Sequence, residues 1–132
     1  MNYVLSSGLS ITGNGTDEVT IRRESGTTGW NAHAYSTEAF TAPCTIEFYK
    51  YAETSDNGVS YAMIGWNADP TANTSYDTLD WAAYPYRTDN YSVYHNGGQV
   101  HFGTAWDSNK KFYIVYDTDG WIRHYNGSTL LY

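Results

Sequence analysis

Tight-turn signals separate short apolar runs along the chain, and this spacing constrains the fold more than any other feature of the sequence. The apolar runs 110–116, 121–125 and 129–132 are separated by Asp-Thr-Asp-Gly at 117–120 and by Asn-Gly at 126–127. Asp-Gly and Asn-Gly pairs readily adopt the positive backbone φ angles of tight hairpin turns. We therefore predict a three-strand antiparallel meander over residues 110–132.

Alternating apolar and polar residues predict further strands upstream of this meander. Apolar positions two apart occur at 19–21, 44–48 and 91–93, and Asn-Gly-Gly at 96–98 predicts a hairpin after the last of them. No segment carries the apolar spacing of an amphipathic helix. We predict an all-β fold, a two-sheet antiparallel β-sandwich of the jelly-roll type with essentially no helix, as a single domain over residues 1–132. The residues expected on its inner faces include Ile46, Phe48, Ile64, Leu79, Ile114 and Ile122.

Composition and charge favour a folded acidic domain that binds no nucleic acid. Aromatic residues make up 17% of the chain and charged residues only 16%, unlike the charge-rich composition of disordered chains. The formal net charge is −7, and the basic residues are scattered, so there is no basic stripe to contact a phosphate backbone. No apolar run has the length of a membrane span, so we expect no membrane insertion. We also expect no signal peptide at residues 1–8, and the single Cys44 excludes an intramolecular disulfide.

The stretch 59–86 combines two apolar runs with a polar loop that has aromatic and acidic neighbours. Residues 59–66 form an apolar run bounded by turn residues, which predicts a buried strand. The polar loop 70–75 follows, and then a second run carries Leu79 to Tyr84. Pro85 is expected to stop this second run or to confine it to a sheet edge. Aromatic rings among polar groups are typical of a sugar-binding face, and equally of an ordinary corner of a β-sandwich.

The sequence contains no pattern that predicts catalysis, a cofactor or a metal site. It has no G-x-S-x-G motif, its four histidines are isolated, and its five glutamates lack the paired arrangement that glycoside hydrolysis needs. Residues 117–120 begin like a calcium loop, but Ile122 and Ser128 stand where an EF-hand needs Gly and Glu. We predict a hairpin turn there and no enzyme activity. The alternative for the long loop is a calcium site that uses Asp69, Asp77 or Asp80.

Three stretches, at 29–43, 61–84 and 112–131, resemble one known family. They read G-W-N-A-H-A-Y-S-T-E-A-F-T-A-P, Y-A-M-I-G-W-N-A-D-P-T-A-N-T-S-Y-D-T-L-D-W-A-A-Y and F-Y-I-V-Y-D-T-D-G-W-I-R-H-Y-N-G-S-T-L-L. In them the chain is similar to the concanavalin A-like (lectin/glucanase, SPRY-like) jelly-roll domains found in phage tail-fibre and other virion proteins. The sequence departs from the family pattern at three positions, which changes its aromatic surface. These positions are Trp66, Trp81 and Ala83, where the family pattern has Leu, Tyr and Trp.

The resemblance implies a non-catalytic domain on the surface of a virion, in a tail fibre, a capsid fibre or a decoration protein. Such a domain makes assembly contacts with other virion proteins or with copies of itself, or attaches to host-surface glycans, or does both. Virion proteins are made in the host cytoplasm, which agrees with the expected lack of a signal peptide. The alternative is a free-standing carbohydrate-binding lectin of a cell, and a glycan hydrolase ranks last.

The candidate ligand-binding residues all lie between positions 67 and 87. They are Asn67, Asp69, Asp80, Trp81, Tyr84, Tyr86 and Arg87. We expect Trp81 and Tyr84 to stack on a sugar while the others orient its hydroxyls. Adjacent residues of a strand point to opposite faces, so Asp80 and Trp81 cannot both contact one ligand from a regular strand. We therefore favour Tyr84 with Asp80, four positions apart on one face.

Five rings border polar segments and are expected to be exposed: Tyr76, Trp81, Tyr84, Tyr86 and Trp106. Two other roles remain open for these rings. They can pack the interior of the sandwich, or they can form a flat contact with another protein, since Tyr and Trp are common interface anchors.

Overall fold

The computed structural model describes residues 1–24, 29–30, 32–50, 61–87 and 90–132, and for Arg87 the backbone only. Within these residues the regular structure is antiparallel strand apart from a one-turn 3-10 helix at Tyr76–Thr78, so the predicted all-β class is confirmed. The chain divides by its internal contacts into two compact units. The prediction that it folds as a single domain stays a prediction.

The first unit comprises Met1–Phe40 and Asp69–Ser75 and contains two small sheets. Strand β1 (Tyr3–Leu5) pairs with β4 (Ala34–Ser36), and β2 (Leu9–Thr12) pairs with β3 (Thr20–Arg23). The alternation at 19–21 predicts a strand, and the structure has that strand at Thr20–Arg23.

The second unit comprises Thr41–Ala68 and Tyr76–Tyr132, and its first sheet contains the predicted meander. Strands β10 (Phe112–Tyr116), β11 (Ile122–Asn126) and β12 (Thr129–Leu130) follow one another in sequence and in space, as predicted. Strand β5 (Cys44–Phe48) pairs with the other side of β10. The Asn-Gly turn between β11 and β12 uses Gly127 at φ 59°, where a side chain is strained.

The second sheet of this unit has the order β6-β7-β8-β9. Its strands are β6 (Ile64–Trp66), β7 (Trp81–Arg87), β8 (Asn90–His95) and β9 (Gly98–Thr104). The predicted hairpin joins β8 to β9 through Asn96 and Gly97, whose φ angles are both positive (47° and 76°). Two positive φ angles define a type I′ turn, which matches the twist of the strands it joins.

Two expectations for the central stretch need correction. Of the strand predicted over 59–66, Ile64–Trp66 is a strand and residues 61–63 are irregular, while residues 59–60 lie outside the described residues. The expectation that Pro85 stops its run is wrong, since Pro85 lies inside β7 and opposite Tyr91 of β8. The alternative expectation, that Pro85 confines the run to a sheet edge, fits better. Strand β6 pairs only with residues 81–83 of β7, so no described strand pairs with β7 at Pro85 on that side. Because Pro has no N–H, a central ladder position would cost a hydrogen bond there.

The core lies between the inner faces of the two sheets and centres on Phe112. The Phe112 ring lies 5.1 Å from Phe48, 5.4 Å from Tyr91 and 5.0 Å from Trp106, measured between ring centres. Phe48 lies on β5 and Trp106 lies in the 105–110 loop, whereas Tyr91 lies on β8 of the other sheet. These contacts therefore join the two sheets. The second unit is therefore a β-sandwich.

Most of the residues predicted for the inner faces belong to this core. Ile114 is fully buried in it, and four others pack against it: Ile46, Phe48, Ile64 and Ile122. The exception is Leu79, which is half-buried before β7 and does not belong to the core cluster.

One polar pair is buried with these apolar side chains. The Tyr91 hydroxyl and the His124 Nδ1 atom lie 2.6 Å apart, and both residues are 0% exposed. The other ring nitrogen of His124, Nε2, is buried without a hydrogen-bond partner. Burial, together with the nearby His101, lowers the pKa of His124 to about 4, so the imidazole is neutral near pH 7.

Candidate functional site

Strand β7 divides its side chains between the core and the opposite face of its sheet. Ala83 belongs to the core, and the alternation of a strand therefore points Ala82, Tyr84 and Tyr86 to the outer face. On β8, Tyr91 and Val93 are core residues, so Tyr94 also lies on the outer face.

Four tyrosines gather there, and we call them the tyrosine face: Tyr61, Tyr84, Tyr86 and Tyr94. The ring centre of Tyr84 lies 5.5 Å from that of Tyr86 and 6.1 Å from that of Tyr94. Tyr61 lies 5.4 Å from Tyr86, and the hydroxyls of these two residues are 3.5 Å apart. These are the separations of favourably packed aromatic rings. Tyr61 is 56% exposed and the other three are half-buried, so the face offers packed rings with part of their surface open.

Amide and hydroxyl groups lie beside the rings. Ser92 stands opposite Tyr84, and Gln99 stands opposite Tyr94. The Gln99 side-chain amide donates to the Ser92 hydroxyl at 3.1 Å, and that hydroxyl donates to the Asn90 side-chain oxygen at 3.1 Å. This relay fixes the polar side chains next to the rings before any ligand arrives.

The Tyr84 phenol of the tyrosine face stays neutral at physiological pH. Burial, with smaller contributions from Tyr86, Tyr61 and Tyr94, raises the pKa of the Tyr84 phenol to about 12. A neutral phenol both donates and accepts a hydrogen bond. The face therefore combines apolar ring surface with uncharged hydrogen-bonding groups.

A buried lysine holds the backbone beneath Tyr86. The Lys50 ammonium donates to the carbonyl of Pro85 and, at 3.4 Å, to that of Tyr86, where the register of β7 shifts. It also lies 5.8 Å from the centre of the Trp106 ring. Burial lowers the pKa of Lys50 to about 8, so most molecules carry this charge at pH 7. Lys50 thus binds the segment that positions Tyr84 and Tyr86.

The structure brings two of the seven predicted binding residues, Tyr84 and Tyr86, into this face. Trp81 points to the other side, where its ring stacks on His95 at 4.2 Å and packs against the core. Asp80 lies just before β7, where its carboxylate accepts the Ala68 N–H at 2.7 Å.

The favoured pairing of Asp80 with Tyr84 is not a direct contact. Four residues of strand separate the Cα atoms by about 13 Å, at ~3.3 Å per residue. The predicted pairing of the two residues through a shared ligand therefore stays a prediction.

The remaining three predicted residues are Asn67, Asp69 and Arg87. Asn67 is half-buried between β6 and the loop, and Asp69 is exposed and belongs to the first unit. Arg87 is the last residue of β7, and its side chain lies outside the described structure.

Sequence reasoning missed Tyr61 and Tyr94, and it placed Trp106 wrongly. Tyr94 is detectable in principle, because alternation along 90–95 puts it opposite to Tyr91 and Val93. Tyr61 lies outside any strand, so periodicity does not indicate its position. Trp106 was expected to be exposed but is only 9% exposed, because it packs on Phe112 in the core.

The aspartates of the predicted hairpin turn bind an arginine of their own chain. Arg123 reaches the Asp117 carboxylate at 2.9 Å and the Asp119 carboxylate at 2.6 Å. The Asp117 N–H donates to the Trp121 carbonyl at 3.0 Å, which closes the hairpin as predicted. In the part of the chain that the structure describes, no three His, Cys, Asp or Glu side chains gather at a site suited to a metal ion. The same residues include no helix with the length and apolar character of a membrane span.

Comparison of the chain with protein-family models, with curated proteins and with solved structures gives no match. What the structure establishes is the class: an all-β protein whose second unit is an antiparallel β-sandwich. The resemblance to concanavalin A-like domains rests on the three stretches quoted above and stays a prediction.

Proposed function

We propose that the protein is a non-catalytic virion surface domain that attaches to host-surface glycans through the tyrosine face. The observation that carries the proposal is the packing of Tyr61, Tyr84, Tyr86 and Tyr94 on the outer face of the β6–β9 sheet. The virion location is supported by the resemblance in sequence, as are assembly contacts with other virion proteins or with copies of the chain.

Saccharides present two kinds of surface, and the tyrosine face has a counterpart for each. The C–H side of a sugar ring is apolar, and half-buried aromatic rings offer it a flat surface that loses little conformational freedom on binding. Sugar hydroxyls need donors and acceptors, which the Tyr84 phenol and the Gln99 amide supply. None of these groups is a paired carboxylate of the kind that cleaves a glycosidic bond.

Binding of the purified protein to a glycan array tests this proposal. We expect retention of a subset of glycans and a loss of at least about tenfold in affinity for Tyr84→Ala, the scale of ~1.4 kcal/mol. Tyr84→Phe keeps the ring and removes the hydroxyl, so it separates ring stacking from hydrogen bonding. The matched control is Tyr113→Ala, because Tyr113 is a half-buried tyrosine that points outward on β10 of the other sheet.

Two results would count against the proposal. If the purified protein binds no glycan of the array specifically, the proposal that it binds saccharides is wrong. Equal losses for Tyr84→Ala and Tyr113→Ala would move binding away from the tyrosine face. A virion location has its own test, which is detection of the protein in purified particles by mass spectrometry.

A further inference from the structure

A shallow cavity of about 240 Å³, open to solvent, lies in the second unit beside residues 105–110 of the loop between β9 and β10. Pockets for drug-sized ligands measure roughly 300–1,000 Å³, so this cavity has room for one small polar ring. Its walls include the apolar side chains of Trp106 and Leu131 and the polar side chains of Asp107, Lys110 and Thr129.

The loop that forms one wall is held in place by Asn126, which is only 3% exposed. The Asn126 side-chain oxygen accepts the Asp107 N–H at 2.7 Å, and its amide nitrogen donates to the carbonyls of Asp107 and Lys110, both at 3.2 Å. The Lys110 N–H donates to the Asp107 carbonyl at 3.1 Å. The wall is therefore built before a ligand binds, which lowers the entropy cost of binding.

The apolar side of the cavity is continuous with the core. Trp106 is 9% exposed and Leu131 is 6% exposed, so each presents only a small part of its surface to the cavity. The Trp106 ring packs on Phe112 at 5.0 Å, which fixes its orientation. A ligand ring thus meets a rigid but small apolar surface.

The polar rim carries one acid and one base that lie close together. The Asp107 carboxylate and the Lys110 ammonium are 3.5 Å apart, and both side chains are substantially exposed. The Asn109 N–H donates to one oxygen of Asp107, and this bond, followed by the Lys110 charge, lowers the pKa of the carboxyl. The ionised pair offers a strong acceptor next to a strong donor without net charge. This arrangement matches two neighbouring hydroxyls, one that donates and one that accepts.

We propose that this cavity binds a single neutral pyranose ring, with neighbouring hydroxyls on Asp107 and Lys110 and the apolar side of the ring against Trp106. The site is distinct from the tyrosine face, and the inference rests on the proposed function only in the class of ligand. A neutral sugar is favoured over an anionic one because a carboxylate or phosphate group on Lys110 would also face Asp107.

Titration of the ¹⁵N-labelled protein with free glucose, galactose, mannose and N-acetylglucosamine, followed by NMR, tests the proposal. We expect at least one sugar to shift the indole N–H signal of Trp106 and the backbone signals of 107–110 at millimolar concentration. Asp107→Asn retains an oxygen for the Asn109 N–H but removes the charge, and should weaken binding about tenfold, since a neutral amide oxygen is a weaker acceptor than a carboxylate. Thr129→Phe, which fills the cavity from an exposed position, should abolish the shifts. Asp119→Asn is the control, because Asp119 is an exposed, ion-paired aspartate of a different turn.

The outcomes separate this inference from the proposed function. Shifts that need about tenfold more sugar in Asp107→Asn, disappear in Thr129→Phe and persist unchanged in Asp119→Asn support the cavity site. Shifts that survive Thr129→Phe, or that occur only at Tyr84 and its neighbours, overturn it and leave the tyrosine face as the saccharide site. Absence of shifts with all four sugars also overturns it, and the glycan array then decides the proposed function independently.

Discussion

The two faces of the β6–β9 sheet carry the same kind of residue in different surroundings. Tyr91 is fully buried on the inner face, where its ring packs on Phe112 and its hydroxyl meets His124. Tyr84, on the neighbouring strand, is half-buried on the outer face, and its ring contacts Tyr86 and Tyr94. The opposite sheet covers Tyr91, whereas Tyr84 packs among the rings of its own sheet. Aromatic content alone therefore does not separate a stabilising role from a binding role.

The pKa values of the two phenols differ between the inner and outer faces in the same way. Burial raises the pKa of the Tyr91 phenol far above its ordinary value, and it raises that of Tyr84 to about 12. The inner phenol has a fixed partner in His124, while the Tyr61 and Tyr86 hydroxyls on the outer face lie 3.5 Å apart. Substitutions on the inner face should therefore change stability, and those on the outer face should mainly change binding.

The largest effect is expected on the inner face, at the centre of the core. Phe112→Ala removes a ring that contacts three others, and should lower the free energy of unfolding by about 3–5 kcal/mol. Urea denaturation at pH 7 measures this loss. Tyr113→Ala, at the next position of β10 but on the opposite face, should cost much less. Similar losses for the two variants would show that the two faces do not differ as described.

The buried histidine should make stability depend on pH between about 6.5 and about 4. Folding lowers the pKa of His124, so its contribution is fully present above the unfolded-state pKa and is lost as the pH falls toward the folded-state pKa. The free energy of unfolding should drop by about 3 kcal/mol across this window. His124→Gln replaces the titrating imidazole with a neutral side chain. The free energy of unfolding of this variant should therefore change much less between about pH 6.5 and about pH 4.

Urea midpoints at several pH values measure that dependence. His33→Gln, in the first unit, controls for the loss of one histidine. An unchanged slope in His124→Gln would show that another group titrates.

A smaller effect on stability is expected for the tyrosine face. Tyr84→Ala removes a half-buried ring that packs on Tyr86 and Tyr94, and should lower the free energy of unfolding by about 1–2 kcal/mol. The same variant should lose glycan binding. A loss of about 3 kcal/mol or more would instead place Tyr84 with the core residues.

The smallest effect is expected for the exposed ion pair of the 117–120 turn. Asp119→Asn weakens its bond to Arg123, and exposed ion pairs contribute little to stability because water and salt screen them. The thermal midpoint measured in low and high salt should be nearly the same for this variant and the original chain. A marked loss at low salt would show that the turn depends on this pair.

Periodicity and turn chemistry predicted much of the second unit. The meander β10–β12 and the β8–β9 hairpin follow from alternation between Asn-Gly or Asp-Gly turns, because both signals act between residues close in sequence. The same reasoning placed Ile46, Ile114 and Ile122 toward the core, since a strand alternates its faces. It extended the β6 strand too far, because an apolar run does not show where pairing begins.

The sequence by itself determined the all-β class, the hairpins and the acidic, aromatic-rich composition. Tertiary structure alone decided that Tyr61 joins Tyr84 and Tyr86, and that Trp106 is buried while Asn126 fixes the loop beside it. It also decided that Trp81 packs inward, although the residue borders a polar loop. Each of these outcomes depends on the register between strands far apart in sequence and on which face the opposite sheet covers. Local spacing contains no information about either, so the candidate site became visible only when the two sheets were assembled.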